Sequence, residues 1–275
     1  MKLCVMTDIE GVAGVLNFQD WTGPGKLHYD LAREFLTLEV NAAVDGFFAG
    51  GATEVLVVDG HGPGGISVNL LDPRVEIQRG WLDGPWPLCV ESTFDALAWV
   101  GQHAKAGTEY AHLAHTQSLA YLDESVNGVS IGEFGELAMC ASELGVRGIF
   151  ASGDKALTKE AQALVPGIET VAVKRALCKG ADADLTQEQY ARATASARHL
   201  HPVRARELIR AGAERAMQRA KQEEFGIIPL TPPFDRVVKY RRSADRPYTT
   251  VQRMTHPTSF IGVMNMKAEA KPVAD

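Results

Sequence analysis

Short apolar runs alternate along this chain with stretches of helical periodicity. Residues 2–7 are almost unbroken in apolar character and of strand length. Residues 54–59, 94–101, 147–152 and 166–174 repeat that texture. Between the first two runs, Ala32, Leu36, Val40, Ala43 and Phe47 recur at steps of three or four, which predicts a helix over 31–48. Gly50-Gly51 stops it, and residues 135–144 read as a second helix. Strands that are apolar throughout, alternating with helices, predict a parallel sheet covered on both faces. The expected fold is therefore α/β: a three-layer, mostly parallel sheet with helices on both faces, plus a smaller C-terminal α+β portion. The texture shifts near residue 185. Residues 186–222 are rich in Ala, Arg, Glu and Gln and read as one or two helices broken at His201-Pro202. Two further strands are expected at 234–241 and 248–254, and a frayed tail from Met264. The chain is thus expected to divide into a larger α/β part, 1–185, and a smaller α+β part, 186–275.

The polar residues at the strand ends carry the chemistry. Asp8 and Glu10 follow the first strand, His61 the second and His103 the third. Ligands of open parallel sheets bind beyond the carboxyl ends of the strands. Two carboxylates closing a buried strand are costly unless something positive neutralises them. A divalent metal does so, and Glu133 supplies a further carboxylate of similar chain position. Carboxylates with imidazoles suit zinc, manganese or cobalt. Two histidines and three carboxylates exceed what one tetrahedral zinc needs and would suit a two-metal site with one bridging carboxylate. Each residue also has a plainer role open to it. Asp8 could cap a turn, Glu10 could be a surface charge, and Glu133 could complement a helix dipole. The glycine-rich loop 60–65 lacks both the Gly-Lys-Ser/Thr ending of a P-loop and the spacing of a dinucleotide fingerprint. His112 and His115 are both candidates for a general base or nucleophile, and the residues alone do not choose between them.

Composition narrows the partners. The 275 residues are 45% hydrophobic and 23% charged, ordinary for a soluble protein with a sizeable core. A net charge of −6 argues against a broad surface for nucleic acid or anionic membrane. The first residues form too short an apolar run for a signal peptide, and no stretch reaches the length of a membrane span. Cys4, Cys89, Cys140 and Cys178 form no Cys-x-x-Cys pair, as expected of a cytoplasmic protein.

Several segments taken together carry a family resemblance: Asp8-Ile9-Glu10-Gly11-Val12-Ala13-Gly14, Asp59-Gly60-His61-Gly62, Gly101-Gln102-His103-Ala104, Ala114-His115-Thr116 and Asn127-Gly128-Val129-Ser130-Ile131-Gly132-Glu133. In this order they resemble the zinc-dependent D-aminopeptidases of the DppA type, over roughly the first 175 residues. The resemblance implies Asp8, Glu10, His61, His103 and Glu133 as ligands of two zinc ions, with Asp8 as the bridge, and His115 as the catalytic histidine. It implies removal of an N-terminal D-residue, such as D-Ala, from short peptides, and a homo-oligomer in the form of a decameric ring. The last third departs from the family pattern, and residues 266–272 stand where a closing amphipathic helix is expected. That departure keeps two other readings open. One is the same scaffold acting on another amide or ester; the other is a non-catalytic binding protein.

Overall fold

The computed structural model describes residues 1–81, 84–243 and 245–273. Residues 244, 274 and 275 of the expected C-terminal portion lie outside the described residues. The chain runs β1 (Lys2–Thr7), α1 (Phe18–Trp21), α2 (Tyr29–Gly50), β2 (Glu54–Asp59), β3 (Glu76–Gln78), β4 (Ala96–Gln102), β5 (Tyr121–Val126), β6 (Val129–Ile131), α3 (Glu133–Glu143), β7 (Arg147–Asp154) and α4 (Lys155–Leu164). It continues through β8 (Glu169–Ala176), α5 (Gln187–Ala193), β9 (Ala197–His199), α6 (Pro202–Ala220), β10 (Phe234–Tyr240), β11 (Thr250–His256), α7 (Phe260–Met264) and β12 (Lys271–Pro272).

Seven strands form one sheet in the order β3-β2-β1-β4-β7-β8-β9, parallel except for β9. Successive side chains of its central strands point to opposite layers. Leu3, Val5, Ala98 and Val100 pack with Leu36, Val40 and Phe47 of α2 and Ile209, Ala213 and Met217 of α6. Cys4, Met6, Leu97 and Trp99 pack with Phe134 and Leu137 of α3 and Leu157 and Ala161 of α4. The α/β class and the covering of both faces are as the apolar runs predicted.

The second sheet, β12-β11-β10-β5-β6, is antiparallel and shares a hydrophobic core with α3 and α4. Its β5–β6 hairpin was not among the expected strands, because β5 carries Asp123, Glu124 and Ser125 and reads as polar. The hairpin signal is the Asn127-Gly128 pair, which turns the chain at φ values of 52° and 80°. A residue with a Cβ is strained in such a turn, and asparagine and glycine tolerate it best.

The expected division at 185 does not follow these layers. α6 and β9, beyond it, belong to the first sheet and its helical cover, while β5 and β6, before it, pair into the second sheet. Neither stretch can bury its apolar face alone, so the two halves interleave. The tail is also tied down. Lys271 pairs with Val251 as an edge strand, and Phe260, Val263 and Met264 of α7 are buried. No helix among the described residues is long and apolar enough to cross a membrane.

Candidate metal centre

Register creates the site. β1 lies between β2 and β4, with Thr7 opposite Asp59 on one side and Val100 on the other. Asp8, His61 and His103 therefore emerge side by side at one edge of the sheet. The loops must meet closely for this. Gly11 N–H donates to Gly101 O at 2.7 Å, and a Cβ on Gly101, at φ 77°, would sit 2.0 Å from Asp8 O. Any larger residue at 101 would push the β1 and β4 loops apart.

Asp8 occupies the middle of the cluster. Its Oδ1 lies 3.0 Å from His61 Nδ1 and its Oδ2 lies 3.1 Å from His103 Nε2. Glu10 Oε2 is 3.2 Å from the same His61 nitrogen, and Glu133 Oε2 is 3.5 Å from the same His103 nitrogen. The result is a row, Glu10–His61–Asp8–His103–Glu133, with one carboxylate oxygen of Asp8 facing each imidazole. Apart from Glu133, whose side chain is 24% exposed, every member is buried.

The far nitrogens set the imidazole orientations. His61 Nε2 faces Thr22 O at 3.1 Å and His103 Nδ1 faces Ala104 O at 3.0 Å. Hydrogens placed on those nitrogens leave lone pairs on the nitrogens that face the carboxylates, the usual second-sphere arrangement of metal-binding histidines. Glu10 Oε2 and His103 Nε2 are buried without a hydrogen-bond partner. Ligand atoms of Asp8, Glu10 and His103, and separately of His103, His115 and Glu133, lie within 4.8 Å of one another. Orphaned, converging donors of this kind fit a divalent cation.

The electrostatics agree. Burial works to lower the His61 imidazolium, but Glu10 and Asp8 outweigh it and push its pKa up to about 12. Burial likewise opposes protonation of His103, and Glu133 and Asp8 reverse the balance and raise it. Burial would raise the Asp8 carboxyl, yet its bonds to His103 and His61 hold it well below the ordinary range. Three carboxylates thus demand positive charge at this point, and a bound cation would supply it while leaving the imidazoles neutral.

His115 joins this cluster and His112 does not. The His115 ring stacks on His103 at 4.0 Å, and its Nε2 lies 3.8 Å from Glu133 Oε1. Its Nδ1 faces Leu113 O at 3.0 Å, which leaves Nε2 turned toward the cluster. His112 is fully buried elsewhere, with Nε2 3.2 Å from Leu16 O and its ring edge-on to His199. Burial, Lys174 and His199 press its pKa down to about 2, so it stays neutral. Of the histidines outside this cluster, His201 caps α6, and His199 and His256 accept backbone N–H groups of Gly14 and Ser259.

Three supporting residues escaped the reading of the sequence. Gln102 Nε2 donates to Asp8 Oδ2 at 3.2 Å. Gln117 N–H donates to Glu133 Oε1 at 2.6 Å from a backbone at φ 58°. Lys174, buried within β8, donates to Glu10 O at 2.5 Å and to Val15 O at 3.3 Å, pinning the loop after β1. A lysine ending the apolar run Val171-Ala172-Val173 was the available signal.

The description "D-aminopeptidase" belongs to the family model, peptidase family M55, that matches residues 1–258. The chain belongs to the D-aminopeptidase family. It is accordingly an aminopeptidase, a hydrolase. A D-aminopeptidase of Bacillus subtilis (strain 168) is 29% identical over 236 residues, which cover 85% of this chain and 78% of that protein. The solved structure of the Zn-dependent D-aminopeptidase DppA from Bacillus subtilis, described as a self-compartmentalizing protease, superposes with a TM-score of 0.81. It is 21% identical, and the match covers 96% of this chain and 94% of that one. At that identity the likeness speaks for the fold. The D-aminopeptidase family is also the one that the strand-end motifs resemble.

Proposed function

We propose that this chain is a di-zinc aminopeptidase that releases the N-terminal D-residue, such as D-Ala, from short peptides or amides. The observation that carries the reading is Asp8, which offers one carboxylate oxygen to the side of His61 and Glu10 and the other to the side of His103 and Glu133. In this reading Asp8, His61 and Glu10 would hold one ion, and Asp8, His103 and Glu133 the other. Zinc held there would lower the pKa of a water and polarise the scissile carbonyl. Zinc dependence is stated for the structurally similar DppA, and the same donor set would also take manganese or cobalt.

The chain's own residues do the remainder. Gln102 and the Ile9 N–H fix the Asp8 carboxylate. The Gln117 N–H fixes Glu133. His115 Nε2, held toward the cluster by the Leu113 carbonyl, takes a proton from the attacking water and passes it to the leaving amine. The self-compartmentalizing description of DppA supports a homo-oligomer here as well, and we read it as a decameric ring that admits only short peptides. The four free thiols fit a cytoplasmic setting.

Metal content per chain, measured on protein purified without chelator, tests the site. We expect two zinc per chain, together with faster turnover of D-Ala than of L-Ala amide. A value near zero that persists after zinc is added overturns it.

A further inference from the structure

Two contiguous cavities open from the metal centre and share Asp8, Gly60, Trp81, Gln117 and Glu133. Their walls differ in chemistry. The larger, about 360 Å3, is mostly polar and carries Glu10, His61, Ser118 and His115. The smaller, about 190 Å3, is bounded by Met6, Trp81, Pro85, Trp86, Leu88 and Leu137. Among the described residues His115 lines only the larger one.

That asymmetry orients a substrate. The group that protonates the leaving amine must stand on the leaving-group side of the bond being cut. The remainder of the peptide therefore extends into the cavity with His115, and the side chain of the released residue points the other way. We propose that the smaller cavity receives this side chain and selects an apolar one larger than methyl. The proposal rests on the aminopeptidase reading above. Its volume equals about six waters at roughly 30 Å3 each. A methyl group leaves most of it unfilled, whereas an isobutyl or benzyl group replaces that water with contact to two indoles and two leucines. Discrimination of roughly tenfold or more per added methylene is within reach of such a pocket.

The wall is held by the end of the chain that departs from the family pattern. Asn265, the C-cap of α7, accepts from Trp86 N–H at 3.1 Å through Oδ1 and donates to Trp86 O at 2.9 Å through Nδ2. A third bond, to Ile261 O, fixes the amide on its helix. Asn265 is thus a positioning residue: it touches no substrate and sets where Trp86 stands.

The test is kcat/KM of the metal-loaded full chain on D-Ala, D-Leu and D-Phe amides. We expect D-Leu or D-Phe to exceed D-Ala by at least about tenfold. Leu137→Phe, which narrows the cavity, should reverse that order. Asn265→Ala should lower the D-Leu to D-Ala ratio, chiefly by raising KM for D-Leu, with metal content unchanged; general damage would lower both substrates alike. D-Ala as the best substrate, with a ratio indifferent to both variants, overturns the proposal. Failure to cleave any D-amide would sink the aminopeptidase reading instead. Calorimetry then judges the pocket alone, since D-leucine binding no tighter than D-alanine to the metal-loaded protein also overturns it.

Discussion

In the seven-stranded sheet, β1, β2 and β4 end side by side and hand the chain to loops bearing Asp8, Glu10, His61 and His103. In the five-stranded sheet the connection from β6 into α3 delivers Glu133, and the connection entering β5 carries His115. The second sheet is instead built around a buried pair. Arg236 on β10 grips Glu124 on β5 through Nε at 2.7 Å and Nη2 at 3.2 Å, and reaches Met264 O of α7 through Nη1. The difference teaches how labour is divided here. Parallel strands aim their ends at a common edge and concentrate chemistry there. Antiparallel strands return on themselves, so their polar side chains serve cohesion.

The largest effect expected of this division is at its centre. Asp8→Asn should leave at most one metal per chain and lower kcat by at least about 10³-fold, or about 4 kcal/mol of barrier. Two metals retained, by elemental mass spectrometry, would contradict the bridging role. Next comes His115→Ala, for which kcat should fall by about 10² to 10⁴-fold with both metals kept. Full turnover in that variant removes His115 from the mechanism.

Smaller effects probe cohesion. Arg236→Met strands a buried carboxylate and should cost about 3–5 kcal/mol in urea unfolding while metal content holds. A loss of metal in that variant would break the separation between the sheets. The least effect is expected from Glu39→Gln on α2. Glu39 accepts the Ala13 N–H, and burial, only partly offset by that bond and by Lys174, raises its pKa from 4.5 to about 7. A folded-state pKa above the unfolded one favours the fold below pH 4.5 and is progressively lost as pH rises toward 7. The variant should therefore gain at most about 3 kcal/mol over the native chain at pH 8 and nothing at pH 4. Equal stability differences at both pH values would show that Glu39 does not titrate in this way.

Legibility followed the same line. The apolar runs at 2–7 and 54–59 match β1 and β2 residue for residue, because strands buried on both faces have no room for polar interruptions. The helix over 31–48 extends two residues further at each end. The β5–β6 hairpin was missed because its polar residues are satisfied across strands, by Arg236 for Glu124 and by Ser130 for Asp123. Pairs of that kind have no local pattern. The packing across residue 185 was not legible for a related reason: α6 and β9 complete layers begun more than a hundred residues earlier.

The sequence by itself determined the central parallel strands, the long helix after β1, and which carboxylates and imidazoles stand at strand ends. Periodicity and burial are local properties, and strand termini can be read one at a time. Only the tertiary structure decided that Asp8 turns one oxygen to each histidine, that His115 and not His112 stacks on His103, and that Asn265 holds Trp86 beside the centre. Each of these depends on sheet register or on contact between distant segments, and neither is carried by any single stretch of chain.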